Sequence, residues 1–244
     1  MTPSASASPS PLRLCTVCAR GGSKGVPNKN LLEIGGRSLV AHSVAQARES
    51  GLFAVVGCSS DSPAILDAAA AAGADLLIRR PDALATDAAG KLETLHHALL
   101  EAEARTGLRF DTYADLDATS PLRAVADIAG AVALLERSGA ASVLTGAPAR
   151  RSPYFNLLEE RPDGTVTLAK TPATPILRRQ DAPRCFDMNA SIYVWRAATF
   201  RATPAGLYPD TRLFEMPEDR SVDIDSPLDL EIVRMLMARR EGGA

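Results

Sequence analysis

Short apolar runs and helical patterns alternate along most of the chain. The apolar runs are four to six residues long and contain β-branched side chains, which predicts strands. Between them, apolar residues recur at helical spacing. The predicted strands are 13–17, 54–59, 75–78, 112–116, 141–145 and 190–195, and the predicted helices are 38–49, 63–72, 91–103, 124–137 and 227–240. This alternation predicts an α/β domain with a mostly parallel sheet and helices on both faces.

The alternation stops between residues 150 and 187, where five prolines interrupt it. The turn-forming stretch Pro162-Asp163-Gly164 predicts a hairpin with arms at 154–158 and 165–169. We therefore predict that residues 150–187 are a small insertion in a single domain. The two parts of that domain are predicted to be 12–149 and 188–244.

The composition is that of a globular chain without a strong overall charge. Its 244 residues are 46% hydrophobic, enough for a sizeable core. The net charge of −2 gives no basic field, so we predict no nucleic-acid partner. No apolar run approaches the roughly 20 residues that cross a membrane, and no signal peptide is evident, which predicts a cytoplasmic protein. Residues 1–11 contain only Ser, Pro, Ala and Thr after Met1 and are predicted to be a disordered leader.

Two of the four cysteines, Cys15 and Cys18, are close enough in sequence to suggest a metal pair. Residues three apart on a strand point to opposite faces, so a shared zinc ion would need a break in that strand. The alternative is that all four are reduced thiols packed as small apolar side chains. A cytoplasmic location favours this alternative.

Residues 19–30, A-R-G-G-S-K-G-V-P-N-K-N, lie where the first strand turns toward the first helix. The glycines let backbone N–H groups approach a phosphate without obstruction by Cβ atoms. Arg20, Lys24 and Lys29 add three cations, which favours a triphosphate site over an ordinary glycine-rich loop. The order of residues is neither that of a P-loop nor that of a dinucleotide-binding turn. It is most similar to the loop of sugar-nucleotide pyrophosphorylases.

A second motif, S-V-D-I-D-S-P-L-D-L, covers residues 221–230 just before the last helix. In an extended chain Asp223 and Asp225 project to one face, with Ile224 directed into the core. Paired carboxylates suit Mg²⁺, a hard cation that bridges phosphates. The alternative is that Asp225 or Ser226 only caps the helix. The basic loop favours the metal, because phosphate chemistry needs both halves.

The motifs together resemble the CMP-sialic acid synthetase (acylneuraminate cytidylyltransferase) family of nucleotidyltransferases. Besides the two motifs above, the similarity includes S-S-D at 59–61, R-P-x-x-L-A-T-D at 80–87, T-S-P-L-R at 119–123 and N-A-S-I-Y-V at 189–194. The resemblance implies a Rossmann-like nucleotidyltransferase sheet and a homodimer whose insertion crosses to the partner. It also implies a reaction in which CTP and a 2-keto sugar acid give a CMP-sugar and pyrophosphate.

The resemblance also assigns roles to individual residues. The implied catalytic residues are Arg20, Lys29, Asp223 and Asp225, of which the two aspartates would hold Mg²⁺. The implied nucleotide-binding residues are Ala19, Arg20, Gly21, Gly22, Ser23, Lys29, Asn30, Arg80 and Asp87. The implied sugar-binding residues are Asp117, Thr119, Ser120, Asn189, Tyr193 and Arg179, the last presented by the partner subunit.

Four positions depart from the family pattern. Asp117 replaces a glutamine, Phe155 a lysine and Asp187 an arginine, while Lys91 stands where the family has a small serine near the base. The loss of two cations predicts a sugar acid other than N-acetylneuraminate. A carboxylate at position 117 would repel an anion, so it is expected to bind another metal or a sugar hydroxyl.

The resulting prediction is a Mg²⁺-dependent cytidylyltransferase that acts on a nonulosonate, a sialic-acid-like 2-keto-3-deoxy sugar acid. Two alternatives stay open. One is CMP transfer to another small acid, such as a different deoxy sugar acid or a phosphonate. The other is a nucleotide-binding homologue without catalytic activity.

Overall fold

The computed structural model describes residues 11–22, 25–86, 90–171, 176 and 178–242, apart from the side chains of Arg179 and Glu241. The predictions for Ser23, Lys24 and Asp87 lie outside these residues, and so do residues 1–10 of the leader predicted at 1–11. Throughout the described part of the chain, no helix is long and apolar enough to span a membrane.

Strands and helices alternate as predicted for most of the chain. The strands are β1 Arg13–Cys18, β2 Glu33–Ile34, β3 Arg37–Ser38, β4 Val55–Ser60, β5 Leu76–Arg79, β6 Thr112–Leu116, β7 Ser142–Pro148, β8 Leu158–Glu160, β9 Val166–Leu168, β10 Phe186–Arg196 and β11 Arg212–Glu215. The α-helices are α1 Leu39–Glu49, α2 Pro63–Ala71, α3 Lys91–Thr106, α4 Val125–Ser138, α5 Ala197–Ala202 and α6 Pro227–Gly242.

Seven strands form one sheet in the order β11-β7-β10-β6-β1-β4-β5. Every neighbouring pair is parallel except the two pairs made by β10, which runs antiparallel to β6 and β7. The prediction of a mostly parallel α/β sheet is confirmed. The antiparallel course of β10 was not predicted.

The predicted hairpin is present, although its first arm is displaced along the chain. Strands β8 and β9 pair antiparallel around the turn at Gly164, whose φ of 81° suits glycine. The first arm lies at Leu158–Glu160 rather than at 154–158. Strand β10 begins at Phe186, within the predicted insertion.

Both faces of the sheet are covered by helices, and the alternation of side chains along β1 shows why. Cys15 and Val17 pack among residues of α1, α2 and α4, whereas Leu14 packs on the opposite face with α3 and α5. Cys18 contacts that second cluster, so Cys15 and Cys18 lie on different sides of the sheet. The same contacts disfavour a zinc ion shared by these two cysteines.

Parallel strands place their carboxyl ends at one edge of the sheet, where ligands bind in open α/β folds. Here β1, β4, β5 and β6 are mutually parallel. Their following loops begin near Ala19, Asp61, Arg80 and Asp117. Helix α6 packs its Val233 with Ile224 and Leu39 and so fixes the acidic motif at this edge.

Candidate active site

A cavity of about 450 Å³ lies at the carboxyl edge of the sheet. Residues from both ends of the chain line it, and most were singled out from the sequence. The predicted site residues in its wall are Ala19, Arg20, Lys29, Asn30, Arg80, Asp117, Thr119, Asp223 and Asp225. The fold therefore brings the glycine-rich loop and the acidic motif together around one volume.

Hydrogen bonds hold the described part of the glycine-rich loop. The Gly21 N–H donates to the Asp61 carboxylate at 3.0 Å, and the Asn30 side-chain amide donates to the Arg20 carbonyl at 2.9 Å. Gly22 has a φ of 67°, a left-handed conformation that favours glycine. Asp61 therefore shapes the loop, a role that the S-S-D motif alone did not reveal.

Lys29 joins the basic loop to the acidic motif. Its ammonium donates to the carbonyl oxygen of Ile224 and lies 3.1 Å from Asp225 Oδ1. The Lys29 side chain is only 13% exposed, whereas that of Asp225 is 77% exposed. Lys29 is thus held in one position, while the Asp225 carboxylate stays open to solvent and ligands.

The two aspartates of the acidic motif differ in their surroundings. Ile224 is fully buried and donates its N–H to the Thr119 carbonyl at 3.0 Å, which fixes the residues on either side. Asp223 Oδ1 is buried and has no hydrogen-bond donor. Burial raises the pKa of Asp223 above its usual range, although Thr119 and Lys29 oppose the shift.

The helix-capping alternative applies to Ser226 rather than to Asp225. The Ser226 N–H and hydroxyl donate to the Asp229 carboxylate at 2.8 and 2.7 Å, and the Asp229 N–H donates back to Ser226 Oγ at 3.3 Å. This is a reciprocal cap at the start of α6. The carboxylates of Asp223 and Asp225 are not used by it.

These two carboxylates fit a magnesium ion. An undonated, buried oxygen of Asp223 beside the exposed Asp225 carboxylate supplies hard oxygen ligands. Within the described ranges, no group of three or more His, Cys, Asp and Glu residues could hold a metal. A pair of carboxylates that shares the ion with waters and phosphates is the arrangement that Mg²⁺ accepts.

Arg80 presents a buried guanidinium to the same cavity. The residue is 5% exposed, and Nη2 donates to the Ser59 carbonyl at 3.0 Å. Its Nε is buried without a partner in the structure. A ligand oxygen in the cavity would satisfy this donor.

Asp117 does not stand as an isolated carboxylate. Lys91 Nζ lies 2.7 Å from Asp117 Oδ2 and 4.3 Å from the centroid of the Tyr193 ring. Burial disfavours the Lys91 ammonium, but Asp117, Asp115 and Tyr193 outweigh it and raise the pKa of Lys91. Burial also disfavours the Asp117 carboxylate, but Lys91 and Thr119 hold its pKa below the usual value.

Besides Gly21 and Gly22, four predicted residues lie outside the lining of the cavity. Ser120 is fully buried and donates to the Asn189 carbonyl at 3.3 Å. Asn189 is 5% exposed, accepts from the Thr145 hydroxyl at 2.7 Å and donates to Ser221 Oγ at 2.9 Å. Tyr193 is 8% exposed and reaches the cavity through Lys91. Arg179 belongs to a short 3₁₀-helix at Arg179–Asp181.

Arg123 is a structural centre that the sequence did not single out as a site residue. It is 2% exposed and donates to the Asp117 carbonyl, to Ser191 Oγ at 3.1 Å and to Ser43 Oγ at 2.8 Å. These bonds link the residue that follows β6 to β10 and α1. Arg123 therefore fixes the backbone that carries Asp117.

A mostly parallel sheet that sets a glycine-rich basic loop against paired carboxylates defines a nucleotidyltransferase. A solved structure of CMP:2-keto-3-deoxy-manno-octonic acid synthetase complexed with CTP has the same fold, with a TM-score of 0.68 at 18% identity. The match covers 94% of this chain and 99% of that one. The cytidylyltransferase family model matches residues 14–204, and the chain belongs to that family.

Relatives at 40% identity match nearly the whole chain. The CMP-N,N'-diacetyllegionaminic acid synthase of Campylobacter jejuni is 40% identical over 225 residues, which cover 92% of this chain and 94% of the relative. The post-translational flagellin modification protein B of Campylobacter coli is 40% identical over 227 residues, or 93% and 95% of the two chains. The predicted nucleotidyltransferase family is confirmed.

Proposed function

We propose that the chain transfers CMP from CTP to a nonulosonic acid and releases pyrophosphate. The observation that carries this proposal is the single cavity in which the glycine-rich loop meets Asp223 and Asp225. A hydroxyl oxygen of the sugar acid would bond to the α-phosphorus of CTP, and the bond from that phosphorus to the pyrophosphate oxygen would break. The acceptor proton would leave to solvent.

The chain's own residues contribute charge and position. Lys29 is held by Ile224 and Asp225, and Arg20 lines the same cavity, so both cations face the volume that a triphosphate would fill. Preorganised cations stabilise negative charge that accumulates on a leaving pyrophosphate. Arg80 would bind the nucleoside part of CTP, since its buried Nε has no hydrogen-bond acceptor in the structure.

Asp223 and Asp225 would hold Mg²⁺. The bound ion would neutralise phosphate charge and keep the triphosphate in line for displacement. The undonated Asp223 oxygen supports this assignment, because leaving such an atom buried without a partner is costly. We therefore propose that the reaction depends on Mg²⁺.

The sugar acid would enter on the side of Asp117 and Tyr193. The charges of Lys91 and Asp117 balance each other, so this wall has no excess positive charge. It is therefore poorly suited to bind an anionic group of the acceptor. The relative in Campylobacter jejuni is named for a diacetylated sugar acid. We propose an acceptor of that kind in preference to N-acetylneuraminate.

We also propose a homodimer in which the insertion contacts a second copy. The β8–β9 hairpin exposes Leu158 to 57% and Val166 to 59%, and Leu157 beside it is 45% exposed. A two-stranded hairpin is marginal in water unless its apolar side chains pack against something. A second copy of the chain would bury them.

The test is pyrophosphate release from CTP with Mg²⁺ and a panel of acids: N,N'-diacetyllegionaminate, pseudaminate, N-acetylneuraminate, 2-keto-3-deoxy-octonate and a small phosphonate. Release with a nonulosonate, and formation of its CMP ester, is expected. Release only with the octonate or the phosphonate would show that the acceptor is that acid and not a nonulosonate. Tight CTP binding without release with any acid would indicate a homologue that binds nucleotide without catalysis.

A further inference from the structure

Two charged residues in the cavity wall, Lys91 and Asp117, are in contact. Lys91 is the first residue of α3 and Asp117 follows β6, so they come from separate elements. Their side chains meet at 2.7 Å, and both residues line the cavity.

Lys91 is held by two contacts. Its ammonium lies 2.7 Å from Asp117 Oδ2 and 4.3 Å from the centroid of the Tyr193 ring. A cation over an aromatic ring and beside a carboxylate loses much of its freedom. Yet the Lys91 side chain is still 43% exposed. It is therefore an anchored donor with access to the cavity.

We propose that Lys91, positioned by Asp117 and Tyr193, determines acceptor specificity by donating a hydrogen bond to a neutral acceptor group of the sugar acid, such as an amide carbonyl. This inference rests on the proposed cytidylyltransferase function and names the residue that selects its second substrate. Lys91 is the contacting residue, and Asp117 is a positioning residue.

The charges around Lys91 decide the kind of group that it recognises. Its positive charge is already balanced by Asp117, and Asp115 adds further negative charge when it is ionised. A carboxylate brought to this wall would meet two like charges. A neutral carbonyl would accept one of the three ammonium N–H groups without that repulsion. The sugar acid's own carboxylate must then bind elsewhere.

Asp117 satisfies its other oxygen within the chain. Its Oδ1 accepts from the Thr119 N–H at 3.3 Å and from the Thr119 hydroxyl at 3.0 Å. With Oδ2 on Lys91, the carboxylate is engaged at both oxygens. Replacing Asp117 alone therefore removes the carboxylate that holds Lys91 in position and leaves the Lys91 ammonium without its ion-pair partner.

The experiment is a double-mutant cycle with Lys91→Ser, Asp117→Gln and the double variant in the full chain. We measure kcat and KM for CTP, N,N'-diacetyllegionaminate and N-acetylneuraminate. Each single variant is expected to lose at least about tenfold in kcat/KM for the diacetylated acid, with the KM for CTP within about threefold. The fraction of kcat/KM that the double variant retains for the diacetylated acid should be about tenfold higher than the product of the fractions retained by the two single variants. The double variant should also shift relative preference toward N-acetylneuraminate.

Additive effects, or an acceptor preference that is the same in all four proteins, would overturn the proposal. So would a KM for CTP that rises in parallel with the acceptor KM, since this indicates a merely structural pair. If a single variant fails to fold, Lys91→Arg and Asp117→Glu keep the charges. These variants must then change the acceptor KM without changing the CTP KM.

The matched control is the Glu101–Arg105 ion pair, which lies at 2.8 Å on the same helix α3 with similar exposure. Glu101→Gln with Arg105→Ser should leave both acceptor constants unchanged. Wild-type protein that releases pyrophosphate with no acid would contradict the proposed function. Wild-type activity combined with an additive cycle would contradict only the role of Lys91.

Discussion

The carbonyl oxygen of Asp225 lies so close to Gly25 that a Cβ atom at position 25 would be 2.4 Å from it. The glycine-rich loop therefore packs its backbone directly on the acidic motif. Lys29, four residues later, reaches the same segment through Ile224 and Asp225. The two motifs form one wall of the cavity, and any change in their spacing alters both.

The first prediction follows from this contact. Gly25→Ala places a methyl group against a backbone carbonyl that cannot rotate away, so the loop or the acidic motif must shift. We expect kcat/KM for CTP to fall by at least about tenfold, because small displacements of positioning groups are costly. Gly206→Ala, at a position with no neighbour within 4 Å of the added Cβ, is the control and should change kcat/KM by less than about twofold.

The second prediction concerns the metal. Asp223→Asn and Asp225→Asn should each lower kcat by roughly 10²-fold, the scale of losing one preorganised electrostatic group. Titration of Mg²⁺ into the protein with CTP, followed by calorimetry, should show weakened binding in both variants. Glu231→Gln, an exposed carboxylate in the second turn of α6, is the control. Normal Mg²⁺ affinity in both aspartate variants would refute their role as ligands.

The third prediction concerns pH and Asp115. Burial raises the pKa of this carboxyl from 3.8 to about 6, despite Lys91 and the Thr16 hydroxyl. The folded state then binds more protons than the unfolded state between pH 4 and 6, so stability decreases as pH rises through this window. A shift of about two units corresponds to about 3 kcal/mol.

Asp115→Asn removes that titration. The variant should match the wild type in free energy of unfolding at pH 4 and exceed it by up to about 3 kcal/mol at pH 8. Urea unfolding at several pH values measures the difference. Equal pH dependence in the two proteins would show that Asp115 ionises normally in the folded chain.

The fourth prediction concerns the backbone of β10. Ala190 has a φ of 49°, where the pairing of β10 with β7 shifts register, and a side chain is unfavourable in this conformation by about 1 kcal/mol or more. Ala190→Gly should raise the free energy of unfolding by about 1 kcal/mol. Ala147→Gly, on the neighbouring strand without a positive φ, should lower it by about 1 kcal/mol. Thermal and urea unfolding of both variants tests the contrast.

The fifth prediction concerns assembly. Leu158→Asp with Val166→Asp should convert the proposed dimer into a monomer, since charges on both arms of the hairpin prevent its apolar packing. Light scattering after size-exclusion chromatography measures the mass. Leu207→Asp, at a residue that is 70% exposed and outside the hairpin, should leave the mass unchanged. A wild-type monomer at micromolar concentration would contradict the dimer.

The sequence by itself determined the parts of the protein that depend on neighbours along the chain. Apolar periodicity located the longer helices and six of the seven strands that form the main sheet in the described part of the chain, since each period spans only a few residues. The glycine-rich loop and the Asp223–Asp225 motif were readable because each is contiguous. By contrast, α5 has only six residues, and β11, Arg212–Glu215, has a charged residue at each end and no continuous apolar run, so neither was predicted.

Only the tertiary structure decided how distant residues combine. Three such contacts join residues far apart in sequence. Strand β10 lies antiparallel between β6 and β7, Asp61 accepts a hydrogen bond from Gly21, and Arg123 donates to Asp117, Ser191 and Ser43. The pairing of Lys91 with Asp117 belongs to the same class. In sequence they are two unrelated departures, and only their distance of 2.7 Å makes them one ion pair. Local pattern carries no information about such contacts, because packing of the whole sheet sets them.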